Sequence, residues 1–167
     1  MTNVLRCALM MVCLLAAAVS LLCVPTGSIL AEEKPVSQPA QLAQLKSLAE
    51  QVQHLEQVPV QEQPWGWLRW LVNDQLVPGA TMTLGVVQIH AGQKNPPHQH
   101  PNCDEVIYVL SGSCTHRVGD QSVVLRAGDA LRIPKGVPHG ATVLGNEPMK
   151  CVVVYDTGNR QFVPVEE

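Results

Sequence analysis

Three histidines and one glutamate stand at spacings that suit a metal ion. His98-Gln99-His100 follows Pro96-Pro97, and along an extended strand side chains two apart share a face. The pair therefore aims two imidazoles at one point, a common beginning of a metal site. Glu105 lies five residues past His100, an odd step that a straight strand would send to the opposite face. Pro101-Asn102-Cys103 supply a bend between them, so that a strand starting at Glu105 returns its carboxylate to the same centre. A second place is Pro134-Lys135-Gly136-Val137-Pro138-His139, where proline followed two residues later by glycine marks a tight turn. His139 opens the strand after it. If the sheet closes on itself, His139 faces the other three across the interior. Three neutral imidazoles and a carboxylate suit a divalent transition metal (Fe, Mn, Ni, Cu or Zn), and an octahedral ion so held keeps two positions open.

Strands must carry these groups. Short β-rich runs occur at 65–72, 81–90, 105–110, 113–118, 122–125, 130–133, 141–144 and 151–155, separated by turn signals such as Pro78-Gly79, Ser111-Gly112, Gly119-Asp120 and Gly128-Asp129. Many short strands with no helix between them predict an all-β sandwich or barrel. Ahead of them, Leu42, Leu45, Leu48, Val52 and Leu55 recur at steps of three and four, which predicts an amphipathic helix ended by Pro59 and Pro64. Two heptads are too few for a long coiled coil, so this face suits a lid or a partner contact.

The spacing of the candidate ligands resembles the two sequence motifs of the cupins. The first would run Gly92, five residues, His98-x-His100, four residues, Glu105, six residues, Gly112. After 15 residues the second would run Gly128, five residues, Pro134-x-Gly136, two residues, His139. The family usually has an asparagine four residues after that histidine, where this chain has Val143. The position is not a ligand, so the departure concerns local packing. The resemblance covers residues 65–160. It implies a double-stranded β-helix, a small jelly-roll barrel with the metal near one mouth, with His98, His100, Glu105 and His139 as ligands. It also implies a homodimer, to which the helix and the tryptophans of Trp65, Trp67 and Trp70 would contribute.

Neighbouring positions follow from strand alternation. Ile107 and Val109 share the face of Glu105 and are expected to wall a substrate pocket, with Tyr108 pointing away. Cys114, His116 and Val118 alternate on another strand, so Cys114 is expected in the pocket and His116 is a candidate proton carrier, the competing reading being a surface histidine. Cys103 belongs to the loop between His100 and Glu105, where packing is the expected role. Arg132 and Lys135 flank the second turn and would either attract an acidic substrate or stand in solvent.

The amino end reads differently. Arg6 precedes an apolar run over residues 7–24 interrupted only by Ser20, and small residues and two glutamates follow. This describes a signal peptide over residues 1–31. At 18 residues the run also reaches the length of a membrane anchor. Both readings export the rest of the chain. Residues 32–64 then form a linker and the helix, 65–160 the main domain and 161–167 a tail. Loss of residues 1–31 removes Arg6 and no acid, which takes the net charge from -3 to -4. Without a basic surplus, and with 4% aromatic residues, nucleic-acid binding is excluded as a first reading. Three cysteines, Cys103, Cys114 and Cys151, stay in the exported part, so at most one internal disulfide can form. The expectation is an exported metal-binding protein for a small molecule. One form is a dioxygenase-like enzyme acting on an oxygen-rich substrate. Others are an isomerase, a decarboxylase, or a non-catalytic binder of a sugar or hydroxy acid.

Overall fold

The computed structural model describes residues 52–166. The signal or anchor segment and most of the expected helix lie outside the described residues. Of the helical stretch only 52–55 is described: Val52–His54 carry no regular structure, and a turn begins at Leu55, closed by Gln57 N–H donating to His54 O at 2.9 Å. No helix among the described residues is long and apolar enough to cross a membrane.

Eleven strands form among the described residues: β1 Gln61–Gln63, β2 Gly66–Val72, β3 Thr83–Ile89, β4 Lys94–Gln99, β5 Glu105–Ser111, β6 Ser113–Val118, β7 Gln121–Arg126, β8 Ala130–Ile133, β9 His139–Val143, β10 Met149–Tyr155 and β11 Val163–Pro164. They make two sheets, in the orders β1-β2-β3-β10-β5-β8 and β11-β4-β9-β6-β7. Neighbouring strands in both sheets pair antiparallel. The all-β expectation therefore holds for the described part of the chain.

Alternation explains the core. Along β10, Met149, Cys151, Val153 and Tyr155 are buried while the residues between them are partly exposed, the period of a strand with one face inward. Val87, Ile107 and Val153 from one sheet meet Cys114, Leu125, Ala141 and Val143 from the other in a single apolar cluster. Full burial of such side chains contributes roughly 1.5–3 kcal/mol each.

Two glycines are dictated by geometry. Gly112 turns β5 into β6 with φ +73°, and a Cβ there would meet the Pro148 carbonyl. Gly136 has φ +73°, and its N–H donates to His100 O at 2.8 Å. That bond ties the turn before His139 directly to the end of the His-x-His segment. A side chain at either position would be strained, because the backbone there is held in the left-handed region that L-residues avoid.

Val143, where the motif usually has asparagine, is 4% exposed and packs opposite Cys114 in the core. Its N–H still donates to Gln93 O at 3.0 Å. An apolar side chain therefore replaces a polar one without orphaning the backbone.

Candidate metal centre

The four residues arrive from different strands. His98 on β4 and His139 on β9 are direct cross-strand partners. The β4–β9 register slips between Asn95 and His98, at Pro96-Pro97, which have no N–H to give to a ladder. His100 follows the end of β4. The chain then bends and crosses into the other sheet, where Glu105 opens β5 and pairs with Tyr155 of β10 and Ile133 of β8. The side chains of His98, His100, Glu105 and His139 are all buried, and one ligand atom from each lies within 4.8 Å of the others. The segment Pro101–Cys103 between them brings the Glu105 carboxylate to the same centre as the His98 and His100 rings.

Proton placement decides what this cluster can do. His98 Nδ1 lies 2.9 Å from Pro96 O, His100 Nδ1 2.6 Å from Gln161 O, and His139 Nδ1 2.9 Å from Val137 O. A carbonyl only accepts, so each Nδ1 must carry the proton, and each Nε2 presents a bare lone pair. Arg160 Nη1 also approaches His100 Nδ1, at 3.4 Å, but the shorter and better matched Gln161 contact fixes the tautomer. His139 Nε2 stands 2.9 Å and His100 Nε2 3.4 Å from Glu105 Oε2. None of these three buried atoms has a hydrogen-bond partner. Lone pairs facing lone pairs in a buried site repel, and a cation between them removes the conflict. The donor set fits a divalent transition metal, and imidazoles held through Nδ1 are the arrangement such ions favour.

Electrostatics agree. Burial, then the neighbouring His139, lowers the His98 pKa to about 4, so its ring is neutral near pH 7. Burial alone would raise the Glu105 carboxyl, but positive charge held between it and the His100 and His139 rings outweighs burial and keeps it well below the usual carboxylate range. Tyr155 Oη donates to Glu105 Oε1 at 3.0 Å, leaving Oε2 for the centre. Burial and the Glu105 charge keep the phenol protonated, with its pKa well above the ordinary value.

The centre forms part of the wall of a cavity of about 520 Å³. Ile107 lines it. Val109 and Cys114 do not: both are fully buried in the apolar cluster, facing inward but away from the open space. His116 is 3% exposed and lines the cavity, its ring stacked on His139 at 6.0 Å between centroids. The surface reading of His116 is thereby removed. Both of its ring nitrogens lack partners, and burial, then His139, lowers its pKa to about 4. Cys103 is buried, and burial pushes its thiol up to about 11, the behaviour of a packing residue. Cys103, Cys114 and Cys151 are all free thiols.

Arg132 binds Asp104 at the surface through Nε at 2.8 Å and Nη2 at 2.5 Å and does not line the cavity. The cation that does is Arg160, from the segment after β10. Phe162 of the same segment stacks on His98 at 4.8 Å. Neither stands out in the sequence, because both follow the last long strand and carry no motif. Tyr155 was legible in principle, since it continues the inward row of β10.

Residues 85–155 match the family model described as the cupin domain. The candidate ligands fall inside the matched stretch. Oxalate oxidase 2 of Hordeum vulgare is 34% identical over 99 residues, which cover 51% of this chain and 44% of that protein. The oxalate decarboxylase–formate complex of Lactobacillus farciminis superposes with a TM-score of 0.63 at 21% identity, covering 67% of this chain and 35% of that one. A Klebsiella pneumoniae protein with a double-stranded β-helix domain gives 0.59 at 24% identity, covering 70% and 97%. At those identities the two structures speak for the fold alone. The chain spans less than half of the oxidase and about a third of the decarboxylase.

Proposed function

We propose that this protein is an exported, metal-dependent enzyme in which His98, His100, Glu105 and His139 hold one divalent transition metal beside a substrate cavity. The reaction we infer is an oxidoreductase reaction, of the dioxygenase kind, on a small oxygen-rich organic molecule. The observation that carries this reading is the set of bare Nε2 lone pairs and the Glu105 Oε2 atom converging at a cavity wall with every Nδ1 proton turned outward. The barley relative is named an oxalate oxidase, which supports oxidative chemistry for a chain of this type. Export rests on Arg6 and the apolar run at residues 7–24.

A bound ion would polarise a chelating substrate. The chain's own residues supply the rest. Tyr155 fixes the Glu105 carboxylate in one orientation through Oε1. His116, neutral near pH 7 and without partners, is able to take a proton at one ring nitrogen and release it from the other. Apolar walls exclude water. A proton carrier inside the cavity favours turnover over simple retention, which separates this reading from that of a non-catalytic binder.

The test is oxygen uptake by the full chain loaded in turn with Fe, Mn, Ni or Cu, screened against small hydroxy acids and phenols. Substrate-dependent uptake that disappears in His98→Ala supports the proposal. Stoichiometric binding without turnover under every metal contradicts it. A homodimer is part of the same reading, supported by the exposed apolar row Val106, Tyr108 and Leu110 on β5. Light scattering at the mass of one chain would remove that part.

A further inference from the structure

Arg160 is a guanidinium that the fold holds in place but does not neutralise. Its Cζ lies 4.8 Å from the Trp70 ring, 5.2 Å from the Tyr155 ring and 5.6 Å from the Phe162 ring. The Asn102 side chain anchors its segment on both sides: Nδ2 donates to Asn159 O at 2.8 Å, and Oδ1 accepts from Gln161 N–H at 2.9 Å. No carboxylate pairs with Arg160 among the described residues, whereas Arg69 and Arg132 each have one. The guanidinium lines the same cavity as Glu105 and His139, and Nη1 comes within 3.4 Å of the His100 ring. A pre-oriented, unpaired arginine fork is the group best suited to a planar carboxylate.

The rest of the cavity limits what that carboxylate can be attached to. Leu68, Ile89, Ile107, Met149 and Val153 are among its walls. A volume of about 520 Å³ is in the range of sites that enclose drug-sized molecules. A two-carbon acid would leave most of this apolar wall wet.

We infer that Arg160 is the carboxylate anchor of this site and that the substrate is a monocarboxylic acid with an apolar, ring-sized body. The inference rests on the proposed function for the word substrate, but its ligand chemistry is tested without metal. Arg160 is a specificity residue here, since it meets the acid end and not a reacting bond. The competing account is a clamp in which Arg160 merely pins the tail to the barrel through its three rings.

Binding to the full chain is measured by calorimetry, before and after removal of metal by chelator. The probes are mandelate, 1-phenyl-1,2-ethanediol (the same body without the charge) and glycolate (the same acid without the ring). Mandelate is expected to bind at least tenfold more tightly than either of the others. Arg160→Gln should weaken mandelate about tenfold or more and leave the diol within twofold, and Arg160→Lys should recover part of the loss. An equal loss for mandelate and diol in Arg160→Gln overturns the inference, since that marks a broken clamp. So does glycolate binding as well as mandelate. If these preferences hold in the stripped protein while metal content proves nil, the anchor stands and the metal-dependent function falls.

Discussion

Tyr155 and Glu105 face each other across β10 and β5 as cross-strand partners, and the phenol donates to Oε1 of the carboxylate at 3.0 Å. One strand thus orients the only anionic candidate ligand of the other. Tyr155→Phe removes that donor and leaves Oε1 buried without it. Metal affinity is expected to fall about 10- to 100-fold, measured by competition with a chelating dye. Unchanged affinity would mean that the bond does not orient the ligand.

Metal removal should also lower stability. Without a cation, the buried Nε2 and Oε2 atoms oppose one another, and any ion that binds only the folded chain stabilises it in proportion to the logarithm of its excess over Kd. Calorimetric scans of the stripped protein are expected to show a lower Tm that climbs again as Mn or Fe is added. A Tm indifferent to metal would contradict a site built around one.

Acid should destabilise the stripped protein. His98 and His116 have folded pKa values of about 4, below the ordinary value of 6.5. As pH falls from about 6.5 towards 4, the unfolded chain takes up protons that these buried rings refuse, so stability declines through that window. The limit is roughly 3 kcal/mol for each ring. Urea titrations across this range should show the decline, and His116→Gln should flatten part of it. A flat profile would show that His116 is not the buried neutral ring described.

Val143 offers a test of packing. Val143→Asn restores the residue usual in the motif, but at a site 4% exposed among apolar side chains. Burying an amide there without partners should cost about 1–3 kcal/mol. Denaturant unfolding reads this, and a gain in stability would mean that a polar partner awaits the amide.

Much of this arrangement is legible along the chain because strands alternate. His98 and His100 share a face by spacing alone, and the bend at Pro101–Cys103 was enough to bring Glu105 back. His139 needed the motif, since no local rule pairs it with His98 across β4 and β9. Alternation identified Val109 and Cys114 as inward-facing, but it does not tell core from cavity. That depends on where the two sheets separate. β4 escaped the reading by β-propensity because prolines occupy its middle, and they are tolerated there only by a slip in register. Arg160 and Phe162 were invisible for a different reason: a short terminal segment reaches the site through tertiary bonds to Asn102 and Pro97, and sequence spacing carries no trace of them.

The central claim is that three imidazoles and one carboxylate bind a cation together. Elemental analysis of the purified full chain, beside His98→Ala and His139→Ala, tests it most directly. About one equivalent of a transition metal is expected in the unaltered protein and far less in either variant, given how strongly affinity depends on ligand number. Equal metal in all three, or none in any after supplementation, would contradict the account.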